Sequence, residues 1–106
     1  RKVIDGVVVN DTVRDYLLDI VAATRNSADL RLGASPRASL ALQHGAQGWA
    51  AMQGRSYVIP DDVKELAVPV LAHRLLAETT TQLRGQATVQ IVTDLVESTP
   101  VPIERE

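Results

Sequence analysis

Cysteine is absent from the 106-residue chain, which can therefore form neither a disulfide framework nor a thiolate metal site. Phenylalanine is absent too, and the aromatic residues are Tyr16, Trp49 and Tyr57, so the core must consist of Val, Leu, Ile and Ala. No apolar run approaches the ~20 residues that cross a bilayer, and we expect no membrane span. The net charge is −2 and the basic residues are scattered, which argues against nucleic-acid binding.

Signatures of catalysis are also missing. There is no glycine-rich loop ending in Gly-Lys-Ser/Thr that would cradle phosphates. His44 and His73 fall on different predicted helices and lack a third ligand, so we expect no metal site. Ser35 has no evident base partner, and the adjacent Asp61 and Asp62 point about 100° apart on a helix, which does not suit an acid/base pair. We expect no enzymatic activity from this chain alone.

Four helices are predicted, joined by short connections. The first covers about residues 10–25, with Asn10 or Asp11 as its cap. The second starts at Pro36 after the cap Ser35 and ends where Gly54 offers a left-handed stop. The third starts at Pro60 and is kinked or divided at Pro69. The fourth covers about residues 86–98, with a strand as the alternative because β-branched residues are frequent there. Short extended pieces are predicted at residues 7–9 and 57–59.

Each predicted helix has one apolar face, which indicates an all-α fold of the small four-helix bundle class. On the second helix the predicted stripe has small neighbours, so another helix can approach it closely. The faces are Val13, Tyr16, Leu17, Ile20, Val21 and Thr24; Ala38, Leu42, Gly45, Trp49 and Met52; Val63, Leu66, Ala67, Val70 and Leu71; and Val89, Val92 and Val96 with Ile91 and Leu95 beside them.

Arg37 is the candidate functional residue, because a cation is unfavourable in the first turn of a helix. Most helical arginines are simply solvated, and that interpretation stays open. Ser35 and Pro36 fix the helix start, however, and a guanidinium donates bidentately to phosphate oxygens. The N–H groups at the same helix end also favour an anion. An outside phosphate would therefore explain why Arg37 stands there.

Two blocks of sequence carry a family resemblance. "LRLGASPRASLAL" (residues 30–42) and "GWAAMQGRSYVIPDDVKELAVPVLAHRL" (residues 48–75) resemble the C-terminal lid domain of MoxR-family AAA+ ATPases. "VVVNDTVRDYLLDIVAATRNS" is similar to the first lid helix and "VQIVTDLVESTPVP" to the last. Residues 1–99 are then expected to be the lid and residues 100–106 a tail. The segment 76–86 is least similar, and Ile59 stands where many lids have a capping Thr.

The resemblance implies a function. Arg37 matches the sensor 2 arginine, which reaches the terminal phosphates of ATP, with Ser35 and Pro36 beside it. ATP and Mg²⁺ belong to the parent protein, whose core domain carries the missing Walker motifs. The expected partners are that core domain, neighbouring subunits of a hexameric ring and, through a chaperone-like role, von Willebrand A domain proteins. We expect a cytoplasmic parent, and this chain, which lacks an initiator Met, to be a piece of it.

Two other interpretations remain open from the residues alone. A short helix, a long central helix and an extended piece before Pro60 are compatible with a stand-alone, histone-fold-like module, although the acidic balance argues against DNA contact. A partner-binding adaptor that uses the tail "VPIERE" is the other alternative. A P-loop domain encoded upstream of Arg1 would favour the lid over both.

Overall fold

The computed structural model describes residues 6–26, 36–73 and 85–102, and within these ranges the fold is an all-α bundle. Its helices are α1 (Asp11–Asn26), α2 (Pro36–Met52), α3 (Pro60–Ala67) and α4 (Gly85–Ser98). A π-helical turn, Val68–Ala72, continues α3 directly. The predicted four-helix class is confirmed, and the fourth segment is a helix, not a strand. The predicted cap Ser35 and most of the segment 76–86 lie outside the described residues.

The ends of α1 and α2 follow from local residue chemistry. Asn10 caps α1, because its Oδ1 accepts the Val13 N–H at 2.9 Å. Gly54 follows α2 with φ +83°, a left-handed conformation that suits glycine. The Gly54 N–H donates to Ala51 O at 2.9 Å and the Arg55 N–H to Ala50 O at 3.0 Å, the two bonds of a Schellman cap. Both predicted boundaries are confirmed.

The buried face of α2 differs from the predicted stripe. Its most buried apolar residues are Ala38, Leu42, Ala46 and Ala50, a row with a spacing of four. Trp49 is only partly buried and Met52 is 77% exposed, so including Met52 in the stripe was wrong. The small side chains of this row leave room for a neighbouring helix to approach, whereas the bulky indole of Trp49 stays partly exposed. On α4, likewise, Thr88 is buried with Val92 and Val96 while Val89 is exposed.

The close approach of α3 to α2 depends on Gly45. A Cβ at Gly45 would lie 3.4 Å from Leu66 Cδ1, so the leucine fills the space that the glycine leaves. Val63, Ala67 and Leu71 are fully buried on the same side. Pro69 lies in the π-helical turn, where it cannot donate a hydrogen bond and its ring would collide with the carbonyl four residues earlier in a regular α-helix. The predicted kink or division at Pro69 takes the form of a change from α- to π-helix at Val68, and the chain stays helical through this turn.

An extended leading segment, Val7–Val9, attaches to the bundle beside Tyr57. Val8 and Tyr57 form a parallel bridge, in which the Val8 N–H donates to Ser56 O and the Val58 N–H to Val8 O, both at 2.9 Å. The buried Gln47 amide of α2 donates to Val7 O at 2.8 Å. Both predicted extended pieces are confirmed, and the amide ties the first of them to the body of the bundle.

A charged pair holds the start of α3. Arg55, which follows the Gly54 turn, donates to the carboxylate of the buried Asp62. The other oxygen of Asp62 accepts the Ile59 N–H at 2.8 Å. Ile59 offers no side-chain cap, but Asp62 supplies the reverse half of a capping box. Asp62 therefore caps α3, and the ion pair links the connection after Gly54 to the first turn of α3.

Tyr16 carries a buried hydroxyl without a hydrogen-bond partner among the described residues. The side chain is 1% exposed. Burial, and secondly the charge of Asp61, raise the pKa of Tyr16 above its ordinary value of 10.0. The neutral phenol is therefore the form that the folded chain accepts, and ionisation opposes folding.

Asp62→Ala should lower the free energy of unfolding by about 3 kcal/mol, because it leaves a half-buried guanidinium and the Ile59 N–H unpaired. The exposed neighbour provides a matched control, and Asp61→Ala should cost less than about 1 kcal/mol. Urea unfolding followed by circular dichroism measures both. Asp62→Asn keeps the acceptor and loses the charge, so its loss of unfolding free energy should lie between those of the two alanine variants. Equal losses for Asp61→Ala and Asp62→Ala would contradict the role of the Arg55–Asp62 pair.

Tyr16→Phe should remove a loss of stability at high pH. Because the pKa is higher in the folded chain, the stabilisation by neutral Tyr16 is complete below pH 10 and is lost as the pH rises further. At pH 8 the free energy of unfolding of the Phe variant should match or exceed that of the unsubstituted chain, since the hydroxyl that it loses has no partner among the described residues. Its advantage should grow toward pH 11. Tyr57→Phe, at an exposed position, should show no such growth in parallel urea melts.

Candidate functional site

The N-terminal end of α2 is where the predicted site residues meet. Pro36 is the first helical residue and Arg37 the second, and both are exposed. The first turn of α2 contains no acidic residue, so no side chain of that turn offsets the partial positive charge of the helix end. Ser35, the third predicted member, lies outside the described residues.

Two arginines of the described part of the chain lie beside a carboxylate, and Arg37 is not one of them. Arg55 pairs with the buried Asp62, and Arg14 lies 3.9 Å from the exposed Asp11. Within the described ranges, Arg37 has neither a hydrogen bond nor an ion pair. Its planar guanidinium is available to an oxyanion, and phosphate oxygens fit its fork of N–H groups. The helix end and the side chain thus favour the same kind of ligand.

A groove between α1 and α2 begins beside this helix end, and sequence reasoning missed it. It encloses about 370 Å³, and most of its surface is apolar. The sequence could have indicated it, because the spacing of Arg14 and Arg25 places both residues on nearly the same side of a helix. We call it the α1–α2 groove; its lining residues are Arg14, Leu17, Leu18, Arg25, Pro36, Ser39, Leu40 and Gln43.

The remaining titratable candidates do not converge on a second site. His44 and His73 are both exposed, Asp61 is exposed, and Asp62 is engaged with Arg55. Across residues 6–26, 36–73 and 85–102 there is no group of three His, Cys, Asp or Glu side chains that could hold a metal ion. In the same ranges no helix is both long enough and apolar enough to cross a membrane. Within the described part of the chain, the α2 start and the groove are the features with potential for binding.

Comparison with known protein families gives a match over most of the chain. The AAA lid domain family matches residues 22–95, a range that includes α2, α3 and nearly all of α4. The Bacillus subtilis protein YeaC, which is uncharacterized, is 34% identical over 105 residues, covering 99% of this chain and 33% of its own length. This relative therefore aligns with the chain along almost the whole sequence.

Two further relatives are MoxR proteins. Chaperone MoxR1 of Mycobacterium tuberculosis is 42% identical over 77 residues, which are 64% of this chain and 20% of the relative. Protein MoxR of Paracoccus denitrificans is 32% identical over 111 aligned residues, covering 92% of this chain and 33% of the relative. The chain thus spans a third or less of the length of these relatives.

The fold has a counterpart among solved structures. A Cytophaga hutchinsonii protein that is provisionally described as an ATPase superposes with a TM-score of 0.77 and 26% sequence identity. The match covers 96% of this chain and 34% of that protein. Family profile, relatives and fold agree with each other: this chain belongs to the AAA lid domain family and is a lid of the MoxR type of AAA+ ATPases.

Proposed function

We propose that this lid supplies Arg37 as the sensor 2 arginine to ATP bound by the core domain of the same parent protein. The observation that carries the proposal is the position of Arg37: exposed, in the first turn of α2, and without an ion pair in the described part of the chain. A guanidinium at the positive end of a helix gains most from a ligand with negative charge.

The residues present fit a phosphate better than a complete nucleotide site. Arg37, with Pro36 and Ser35 beside it, would contact the terminal phosphates from the lid side and offset their charge. Among the described residues no carboxylate cluster exists to hold Mg²⁺, so the metal ion would be bound by the core domain. When bound there, ATP and Mg²⁺ supply the phosphoryl-transfer chemistry, and the lid supplies one charged contact.

The contacts of α2 with the rest of the bundle would transmit a movement of Arg37 to the whole domain. α2 is tied to α3 through the Gly54 cap and the Arg55–Asp62 pair, and to the leading segment through Gln47. A shift of Arg37 with nucleotide state would therefore move α2, α3 and the leading segment together. Such coupled movement is how we expect ATP hydrolysis to drive remodelling of partner proteins.

The parent protein is proposed to be a cytoplasmic, ring-forming and chaperone-like ATPase. One relative carries the word chaperone in its name, which supports that role. Its partners would be the core domain, neighbouring subunits of a hexamer and von Willebrand A domain proteins. Residues 1–99 would form the lid and residues 100–106 a tail. The family match favours this proposal over a histone-fold-like module or an adaptor that uses the tail.

Arg37→Ala in the parent ATPase should lower ATP turnover by at least about tenfold, because one preorganised charged donor to the phosphates is lost. Arg37→Lys keeps the charge but loses the fork, and should recover only part of the activity. Steady-state phosphate release measures both variants.

Lys64→Ala is the matched control, since Lys64 is also an exposed cation but lies on α3. Its turnover should equal that of the parent. In the isolated chain, Arg37→Ala should change the free energy of unfolding by less than about 0.5 kcal/mol, as expected at an exposed position. Unchanged turnover of the Arg37→Ala parent would return Arg37 to the class of ordinary solvated arginines.

A further inference from the structure

Gln47 is a polar side chain in the buried face of α2, where it is 8% exposed. The other buried residues of this helix are apolar: Ala38, Leu42, Ala46 and Ala50. A buried amide costs free energy unless its groups find hydrogen-bond partners. The Gln47 amide donates to Val7 O at 2.8 Å. A methionine or leucine of similar size would fill the same space without needing a partner, so the amide adds a direction that apolar packing lacks.

The bond from Gln47 attaches the leading segment to α2. Two backbone bonds of Val8 attach the same segment to Ser56 and Val58, which precede α3. Within residues 6–26, 36–73 and 85–102, the Gln47 bond is the one hydrogen bond between the leading segment and α2. Val7 is also buried in the core, but its apolar contacts are non-directional. The angle between the leading segment and α2 therefore depends on Gln47.

Arg37 lies on the same helix as Gln47, ten residues closer to its start. The helix continues without interruption from Pro36 to Met52. Ten helical residues are about 15 Å long, and a tilt of about 10° at Gln47 would displace Arg37 by roughly 3 Å. A group that contacts a transition state loses much of its effect when it is misplaced by about 1 Å. A small change of angle at Gln47 would therefore matter at Arg37, although the two residues are far apart.

We propose that Gln47 is a positioning residue for the sensor 2 contact of Arg37. The inference rests on the proposed function and deepens it. The core domain of the parent protein is expected upstream of Arg1, so the chain would enter the lid through the leading segment. The amide of Gln47 would then set the angle between this entry and α2, and with it the place where Arg37 meets the phosphate. Gln47 itself touches no nucleotide and acts through Arg37.

The first test measures this geometry in the isolated chain, without ATP. The chain has no cysteine, so Val8→Cys and Arg37→Cys provide two attachment points for spin labels, both at exposed positions. Pulsed electron paramagnetic resonance measures the distance between the labels. Gln47→Met should shift or broaden the distance distribution by at least about 2 Å, as expected from a small tilt of α2. The matched control is Gln53→Met, at an exposed position just after α2, and it should leave the distribution unchanged.

The second test measures ATP turnover of the parent protein. Gln47→Met should lower kcat by at least about fivefold because Arg37 is misplaced, and should change the KM for ATP by less than about twofold because the core domain binds most of the nucleotide. Combined with Arg37→Ala, it should cause less than about twofold further loss, since the residue that it positions is gone. Gln47→Leu also lacks the amide and should behave like Gln47→Met. Gln53→Met should keep the kcat of the unsubstituted parent, and far-UV circular dichroism checks that each variant is folded.

Three results would overturn the positioning role. The first is an unchanged distance distribution in Gln47→Met, because the amide would then not set the angle of α2. The second is an equal fold loss of kcat from Gln47→Met with and without Arg37→Ala, because a residue that only stabilises the fold acts independently of Arg37. The third is a rise in KM without a fall in kcat.

Failure of the proposed function would give a different result, in which Arg37→Ala leaves turnover unchanged. That outcome would overturn the sensor 2 role, and the positioning role with it, even if the distance between the labels still depends on Gln47.

Discussion

The left-handed turn at Gly54 reverses the chain after α2, and the packing of α3 depends on that reversal. A Cβ at this position would meet no atom, so the requirement for glycine is purely conformational, worth about 1 to 2 kcal/mol. After the turn, Arg55 forms an ion pair with Asp62, and Tyr57 forms a parallel bridge with Val8. Both contacts fix the direction in which α3 leaves, and Leu66 of α3 then lies against Gly45 of α2.

A core with one buried aromatic side chain, Tyr16, among its aliphatic residues has to be packed by close approach of backbones. Alanines along α2 and Gly45 opposite Leu66 provide this approach. Because small residues leave little apolar area per contact, the charged pair at Asp62 and the Gln47 amide fix geometry that the aliphatic core alone would specify less well. The result is a bundle in which one face of α2 is used for packing while its start and its α1 side remain accessible.

Features set by a few neighbouring residues could be predicted from the sequence. Helix boundaries depend on residues within a single turn, and the structure confirms the boundaries predicted from Asn10, Pro36, Gly54 and Pro69. The exposure of Arg37 is consistent with the prediction, although its role remains a proposal.

Features that depend on a distant partner could not be predicted. Periodicity alone could not tell which of the adjacent rows of α2 would be most buried, and so the predicted stripe includes Met52 and leaves out Ala46. The Gln47–Val7 bond joins residues 40 positions apart, and nothing near either residue indicates it. The α1–α2 groove likewise exists only where two helices lie side by side.

The attachment of the leading segment also has a mechanical consequence. Tension applied to the chain before Val7 would load three hydrogen bonds together, the Gln47 bond to Val7 and the two backbone bonds of Val8. Bonds that share a load in shear yield together, whereas bonds that open in sequence yield one at a time. Force from the N-terminal side would therefore reach α2 and the extended piece before α3 through these three bonds before it loads α1.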